Sequence, residues 1–187
     1  WLGGISALRI FILVSICIVV WVPVGVWIGL RPHLAMKLQP VIQIMSAFPA
    51  NLLFPLFASR ILQYNLDTDI WLSPLTILGT QWYVLFNVIA GTMSLPEVQK
   101  DAVAAFSVKR SLWWRKFIIP GISPHLITGA MTAMGGAWNI SIIAEAINWG
   151  GKELYATGLG AYITFHTRMG DSVLMALGIV VMCIYVL

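Results

Sequence analysis

Long runs without a charged residue are the sequence feature that most restricts what this chain can fold into. Four of them cover residues 10–30, 38–59, 70–96 and 117–144, and a fifth begins at Ser172. Each of the first four exceeds the roughly 20 residues that an α-helix needs to cross about 30 Å of hydrocarbon. Only 10% of the residues are charged, against about 25% in soluble domains. The sequence therefore excludes an ordinary soluble domain and places most of the chain in lipid.

The runs predict an all-α fold, a bundle of transmembrane helices with five spans in the visible sequence. The predicted spans cover residues 8–30, 38–62, 70–93, 121–147 and 171–187. The fifth run is still apolar at the last residue, and the first residue is a tryptophan rather than a methionine. We therefore expect residues 1–187 to be a single membrane domain that is truncated at both ends.

Basic residues are unevenly distributed between the two sets of loops that alternate along such a bundle. One set, loops 31–37 and 97–116, holds seven basic residues and two acidic ones. The other set holds four basic residues and five acidic ones, among them Glu145. Because cytoplasmic loops of membrane proteins are enriched in Lys and Arg, we predict that the first set faces the cytoplasm. The same rule accounts for the net charge of +4 without a nucleic-acid partner.

Prolines and small residues indicate that the spans pack against one another. Pro49 and Pro55 lie within the second run, and an interior proline removes a backbone donor and kinks a helix. Small residues recur four positions apart at Gly25 and Gly29, and again from Gly129 through two alanines. This spacing lets two helix backbones approach closely. We therefore expect broken helices inside a tightly packed bundle.

The loop of residues 94–120 combines an amphipathic helix with a basic, aromatic end. Ser94 and Glu97 have the spacing of a capping box and Pro96 lies in the first turn, so a helix should begin here. Apolar side chains then recur at helical spacing on one side: Val98, Ala102, Ala105 and Phe106. A short cytoplasmic helix of this kind either lies on anionic lipid or docks a protein partner. The residues alone leave both interpretations open.

The same loop resembles the signature of a known family, the inner-membrane permease subunits of binding-protein-dependent ABC importers. That signature reads E-A-A, three residues, G, nine residues, I, one residue, L-P. The matching positions here, with the spacing kept throughout, are Asp101, Ala102, Val103, Ser107, Phe117, Ile119 and Pro120. The segment IIPGISPHLITG that follows, and the earlier WVPVGVWIGLRP, resemble the branch of the family that transports nitrate, sulfonates, taurine and bicarbonate.

The resemblance implies a mechanism and a set of partners. In this family the short helix of the loop is a coupling helix that sits in a groove of a separate cytoplasmic ATPase, which binds the ATP. Two permease units, as a homodimer or a tandem fusion, enclose the path, and a periplasmic solute-binding protein delivers the solute. The resemblance thus implies a location in the bacterial inner membrane and no cofactor on this chain.

The resemblance also implies which residues couple the chain to the ATPase. They are Glu97, Val98, Asp101, Ala102, Ala105, Phe106, Ser107 and Pro120. Asp101 would pair with a basic residue of the ATPase, and the apolar side chains would supply the contact area. Ser107 replaces the family glycine, the residue best suited to a turn with positive φ. Pro120 would end the loop by stopping the helix from continuing into the next span.

Few polar residues in the spans are candidates for a gate or a substrate path. Those that we single out are Glu145, Asn139, Pro49 and Asn51. Ionisable groups in the membrane are functional candidates by default. Because the resembling branch transports anions, we expect Glu145 to be a gate or a structural partner rather than a ligand. On the same side, the uncharged residues 154–167 are too few to span, which predicts a re-entrant or interfacial segment.

Several functions are excluded, and one alternative stays open. The sequence has no phosphate-binding loop of an ATPase, no catalytic triad and no Cys or His spacing for a metal. Catalytic, cofactor and metal sites are therefore not predicted, and pumping must be powered by another chain. The alternative is an ion-coupled secondary transporter, in which broken helices are also expected. The residues do not identify the transported solute.

Overall fold

Helices make up most of the protein. The computed structural model describes residues 1–106 and 108–186. In chain order the helices are α1 Leu2–Gly29, α2 Pro32–Ala47, α3 Phe54–Tyr64, α4 Thr68–Trp71, α5 Ser73–Leu78, α6 Gln81–Met93, α7 Glu97–Ala105, α8 Arg110–Trp113, α9 Ile119–Ala144, α10 Leu159–Met169 and α11 Ser172–Val186. Two short strands, β1 Ala146–Trp149 and β2 Lys152–Tyr155, lie between α9 and α10. The predicted helical membrane fold is confirmed, with one small hairpin added.

Among the described residues, two helical segments are long and apolar enough to cross a membrane unaided. The first is α1, with 28 residues, and the second is Arg110–Ala144, with 35 residues, in which a π-helical turn joins α8 to α9. Val19 in α1 and Met131 in α9 are exposed apolar side chains, as expected where a helix faces lipid. α11 is equally apolar, and its 15 residues reach the last residue that the structure describes.

The second and third predicted spans are each interrupted. α2 ends at Ala47, and a 3-10 turn begins only after Pro49, whose backbone is extended (φ −71°, ψ 100°). Pro55 lies in the first turn of α3, where the missing N–H of a proline is not needed. The third span is divided among α4, α5 and α6. The described residues therefore hold two spans, or up to four if each interrupted pair counts as one.

The chain forms two compact units, of which the first comprises Trp1–Ser15, Phe48–Thr80 and the chain from Met134 onward. Its core consists of buried apolar residues from α3, the α4–α5 region, the end of α9 and the segment around the hairpin: Phe54, Ala58, Ile61, Leu72, Leu75, Ala144, Ile147, Leu154 and Ala156. Because both strands contribute to this core, the hairpin is an integral part of the unit.

A two-residue turn explains why a hairpin forms here. β1 and β2 pair antiparallel, with Trp149 opposite Lys152. The turn residues Gly150 and Gly151 both have positive φ, at 60° and 77°. Hairpin turns with positive φ at both positions favour glycine, which adopts this conformation without strain. The Gly-Gly pair between two four-residue runs is a signal from which the hairpin could have been predicted.

The second unit comprises Ile16–Ala47 and Gln81–Ala133, and α6 supplies much of its core. Two clusters of buried apolar residues fill it. One consists of Val22, Val26, Val84, Val88, Leu95, Ile118, Ile122 and Ala133. The other consists of Ile28, Ala35, Ile42, Leu85 and Ile89. Since α6 contributes to both clusters, α1 and α9 pack against it through one and α2 through the other.

Glycines set how closely these helices approach α6. A β-carbon at Gly25 would lie 2.7 Å from Val88 Cγ1, and one at Gly129 would lie 2.8 Å from Asn87 Cβ. At Gly29 a β-carbon would lie 2.9 Å from a backbone carbonyl oxygen of α6. No real side chain fits at such distances, so these positions require glycine. The predicted close helix contacts at Gly25, Gly29 and Gly129 are confirmed.

Candidate functional site

Helix α7 lies in the loop that the charge distribution assigns to the cytoplasm. It begins after Pro96 and ends at Ala105. The predicted capping box is wrong, because no side chain caps the helix and Ser94 Oγ instead donates to the Gly91 carbonyl oxygen at 2.9 Å. Gly91 is in the last turn of α6, where carbonyl groups lack partners within the helix. Ser94 therefore completes the end of α6 rather than the start of α7.

The side chains expected to contact an ATPase share one property, which is exposure. The described members are Glu97, Val98, Asp101, Ala102, Ala105 and Phe106. We call these six residues the coupling surface. The two largest apolar members are almost fully uncovered, with Val98 80% and Phe106 81% exposed. Exposed apolar groups beside charged residues are typical of a surface that a protein partner or a membrane covers.

Of the two charges of the coupling surface, one is paired with a neighbouring lysine. Lys100 Nζ lies 2.9 Å from Glu97 Oε1, one helical turn away. Asp101 makes no ion pair with any residue that the structure describes. Its carboxylate is therefore the charge of this surface that remains available for a basic group of a partner.

Two predicted members of the coupling loop, Ser107 and Pro120, are not part of the coupling surface. Ser107 lies outside the described residues. The predicted role of Pro120 is wrong, because helix runs without a stop through Arg110–Ala144 and Pro120 lies near the start of α9. The wider π-helical turn Trp114–Ile118 comes directly before it. Proline lacks an N–H, and its ring clashes with the carbonyl group four residues earlier in an α-helix. The π-helical turn has a different hydrogen-bond pattern at this place, so Pro120 interrupts no regular α-helical bond there.

Glu145 lies at the centre of a buried polar cluster in the first unit. Its side chain is 3% exposed. Oε1 accepts hydrogen bonds from Arg9 Nη1 and Ser6 Oγ, each at 2.8 Å. Oε2 accepts the backbone N–H of Gly160, also at 2.8 Å. A guanidinium and two further donors therefore compensate the carboxylate, which is the condition for burying such a charge.

Arg9 and Ser6 extend this cluster to other parts of the unit. Arg9 Nη2 donates to Asp69 Oδ1 at 3.2 Å and to the Thr157 carbonyl oxygen at 3.0 Å. Ser6 Oγ accepts the backbone N–H of Leu159 at 2.9 Å. We call the residues Ser6, Arg9, Asp69, Thr157 and Glu145 the polar latch. The sequence assigned its three charged members to one side of the membrane, and the structure brings them into contact.

Two glycines leave room for the Glu145 carboxylate. A β-carbon at Gly158 would overlap the carboxyl group, and one at Gly160 would overlap the carbonyl oxygen of Ser141. The chain can therefore approach the carboxylate this closely only because these two positions carry no side chain. The uncharged segment 154–167 thus consists of the end of β2, a turn beside Glu145 and most of the 11-residue helix α10.

The other residues predicted to form a gate or path do not join the polar latch. Asn139 is exposed in α9 and donates to the Gly135 carbonyl oxygen of its own helix at 3.4 Å. Asn51 is exposed in the 3-10 turn that follows Pro49. Pro49 and Asn51 therefore mark the interruption of the second span.

An exposed polar group lies beyond the hairpin turn. The Tyr155 hydroxyl donates to Glu153 Oε2 at 2.6 Å, and this hydrogen bond raises the pKa of the phenol. Arg168 of α10 pairs with the same carboxylate. All three side chains are at the surface, so the Glu153–Arg168 ion pair is exposed to solvent, whereas the Arg9–Glu145 ion pair of the polar latch is shielded from it.

A cavity that the sequence did not predict lies along α3. Its volume is about 760 Å³, and Arg60 and Gln63 line it together with apolar groups such as Leu56, Leu66 and Trp71. No carboxylate is among the described residues that line it. The signal in the sequence was an arginine directly after a long uncharged run. A cation over an apolar floor is suited to an organic anion.

Comparison with known proteins agrees with this architecture. Residues 21–187 match the profile of a family described as the inner membrane component of binding-protein-dependent transport systems. The chain is 26% identical over 149 residues to the bicarbonate transport system permease protein CmpB of Synechocystis sp., an alignment that covers 80% of this chain and 50% of that protein. It is 27% identical over 146 residues to the taurine transport system permease protein TauC of Escherichia coli, covering 76% and 50%.

A third relative extends the comparison to almost the whole chain. The nitrate import permease protein NrtB of Leptolyngbya laminosa is 19% identical over 179 residues, which are 95% of this chain and 61% of that protein. The chain thus spans between half and about three fifths of the length of these relatives. The family match and the apolar helices confirm the predicted location, a multi-pass protein of the inner membrane.

Proposed function

The chain belongs to the family of inner membrane components of binding-protein-dependent transport systems, and on that premise we propose that it forms the membrane path of an ATP-driven importer of a small anion. ATP is hydrolysed by a separate cytoplasmic chain, and a solute-binding protein delivers the anion on the other side. A second permease unit, identical or fused in tandem, completes the path. The relatives named for bicarbonate, taurine and nitrate support an anionic solute.

The observation that carries this proposal is the exposure of the coupling surface. A loop that only connected two spans would gain nothing from holding Val98 and Phe106 in water. A helix that docks into a groove of another protein requires this arrangement, with apolar anchors at helical spacing and a charge beside them. Asp101, which has no ion-pair partner among the described residues, supplies that charge.

The coupling surface would transmit motion through the helix that follows it. Closure of the ATPase on ATP displaces α7, and the continuous segment Arg110–Ala144 begins five residues after α7 ends. A displacement of α7 would therefore act first on the start of this segment. Glu145 follows the last residue of that segment. Along the chain, this segment therefore lies between the coupling surface and Glu145 of the polar latch.

The polar latch is proposed to act as a structural lock and gate rather than as a substrate site. Each oxygen of Glu145 already accepts a hydrogen bond, and its charge is balanced by Arg9. A negative carboxylate would also repel an anionic solute. Opening the path on this side therefore involves moving groups that hold the latch, not binding the solute to it.

The cavity along α3 is the proposed contact for the anion on this chain. Arg60 provides a positive charge, and Gln63 adds amide donors. The apolar floor formed by Leu56, Leu66 and Trp71 would hold the organic part of a solute such as an alkanesulfonate. A cavity of about 760 Å³ is larger than a bare inorganic anion requires, so an organic anion fits it better.

Purification of the membrane complex tests the proposed function. The permease is expressed with its genomic neighbours, and the copurifying chains are identified. Recovery of an ATP-binding subunit that is lost when Val98 and Phe106 become alanine supports the proposal. Uptake that proceeds without any ATPase and follows an ion gradient would instead identify a secondary transporter.

A further inference from the structure

A second cavity lies within the other unit, where α1 ends and the segment Arg110–Ala144 begins. Its volume is about 520 Å³. Its lining includes Arg31, Arg110, Trp27, Trp113, Trp114 and Leu30. No acidic residue is among the described residues that line it. The cavity therefore combines two guanidinium groups with an aromatic and aliphatic wall.

Arg31 is held in place at the rim of this cavity. Its Nη1 donates to the Trp27 carbonyl oxygen at 2.7 Å, and its guanidinium carbon lies 4.4 Å from the centre of the Trp27 ring. A guanidinium has five N–H donors, and this contact uses one of them. Arg110 forms no ion pair with any described residue. Two cations thus line one space without a protein anion to balance them.

The position of the cavity along the spans indicates its depth in the membrane. Arg31 follows α1 by two residues, and Arg110 is the first residue of the second long segment. Each arginine therefore marks the point where an apolar span meets the headgroup layer. Trp113 and Trp114 pack edge to face, with ring centres 5.3 Å apart, and tryptophans concentrate at this layer. Both arginines belong to the loops predicted to face the cytoplasm.

We propose that this cavity binds the headgroup of an anionic phospholipid from the cytoplasmic leaflet. Arg31 and Arg110 contact the lipid phosphate, because paired guanidiniums match phosphate oxygens well. The acyl chains run along the apolar side formed by Pro23, Val26 and Leu30. Anionic lipids are enriched in the cytoplasmic leaflet, and basic pockets between spans select them. The inference does not rest on the proposed transport function.

Native mass spectrometry of the intact membrane complex tests the site directly. The complex is extracted from vesicles that contain equal amounts of phosphatidylglycerol and phosphatidylcholine. The wild type is expected to retain phosphatidylglycerol preferentially. That preference should fall roughly fivefold in R110Q and roughly thirtyfold in R31Q/R110Q, because each basic residue contributes about 1 kcal/mol of attraction to an anionic lipid. R110Q is the milder variant, since Arg110 forms no ion pair with any described residue.

The matched control removes two charges from the same loop without touching the cavity. Arg115 and Lys116 are exposed and are not among the lining residues. R115Q/K116Q should retain phosphatidylglycerol like the wild type. Equal retention in R31Q/R110Q and in the control would overturn the proposal. Loss of lipid from the wild type on adding inorganic phosphate alone would also overturn it, since the cavity would then be a free-phosphate site.

Quenching by brominated lipids gives a second readout in vesicles, independent of extraction. Bromine on the acyl chains quenches tryptophans within contact range, so brominated phosphatidylglycerol should quench the wild type more than brominated phosphatidylcholine does. The difference should disappear in R31Q/R110Q and persist in the control. The proposed site would be contradicted if R31Q/R110Q elutes like the wild type on size exclusion and is still quenched more by brominated phosphatidylglycerol than by brominated phosphatidylcholine.

Discussion

Arg9 and Glu145 form a buried ion pair between residues 136 positions apart, with Arg9 Nη1 2.8 Å from Glu145 Oε1. The pair joins the first turns of α1 to the residue that follows α9. Through Asp69 and Thr157 it also reaches α4 and the turn before α10. A single guanidinium therefore connects four separate parts of the first unit.

Breaking this pair should destabilise the protein strongly. Replacing Glu145 by alanine leaves the Arg9 charge buried without its main partner, which costs about 3–5 kcal/mol of unfolding free energy. Thermal unfolding of the purified protein in detergent measures the effect. The control is Glu153→Ala, which removes the surface pair with Arg168 and should cost less than about 1 kcal/mol. Equal losses would contradict the structural role of the latch.

Close packing beside Glu145 should also contribute to stability, although less than the charge does. Gly160→Ala places a methyl group against the Ser141 carbonyl oxygen, and overpacking of this kind costs about 1–3 kcal/mol. Gly135→Ala, in the interior of α9 with open space around it, is the matched change. It should be neutral or stabilise by up to about 1 kcal/mol, because alanine favours helix over glycine. Opposite signs in thermal unfolding are therefore expected.

Changes at the coupling surface should affect the partner and not the fold. The double change V98A/F106A removes two exposed side chains, so insertion and thermal unfolding should stay as in the wild type. The amount of copurifying ATPase should fall at least about tenfold, as is typical for truncating two anchor residues of an interface. Gln99→Ala, an exposed change on the same helix, serves as the control. Deleting residues 97–110 should likewise preserve insertion and abolish transport.

The cavity along α3 predicts a charge requirement for uptake. Arg60→Gln removes the cation of this cavity and should raise the anion concentration for half-maximal uptake by about tenfold, the loss expected for a charge-assisted hydrogen bond. Lys152→Gln removes an exposed cation from the hairpin and should leave that concentration unchanged. Similar effects in both variants would mean that Arg60 acts only through general surface charge.

Local patterns predicted the parts of this fold that depend on neighbours in sequence. The uncharged runs gave the two long helices, and the glycine spacing gave the close contacts of α1 and α9 with α6. The capping box failed because Ser94 had two helix ends within reach, and its hydroxyl bonded the end of α6. The pairing of Arg9 with Glu145 could not be predicted, since nothing local connects residues so far apart. Charge bias gave only their common side of the membrane.

Uptake into vesicles tests the central claim most directly. The complex of the permease and its ATPase is reconstituted with ATP on the ATPase side and with the solute-binding protein and labelled taurine, nitrate or bicarbonate on the other. The proposed function predicts accumulation of one of these solutes, each of which carries an anionic group, that requires ATP and disappears in V98A/F106A. Accumulation that is independent of ATP, unchanged in V98A/F106A and driven by an ion gradient would contradict it.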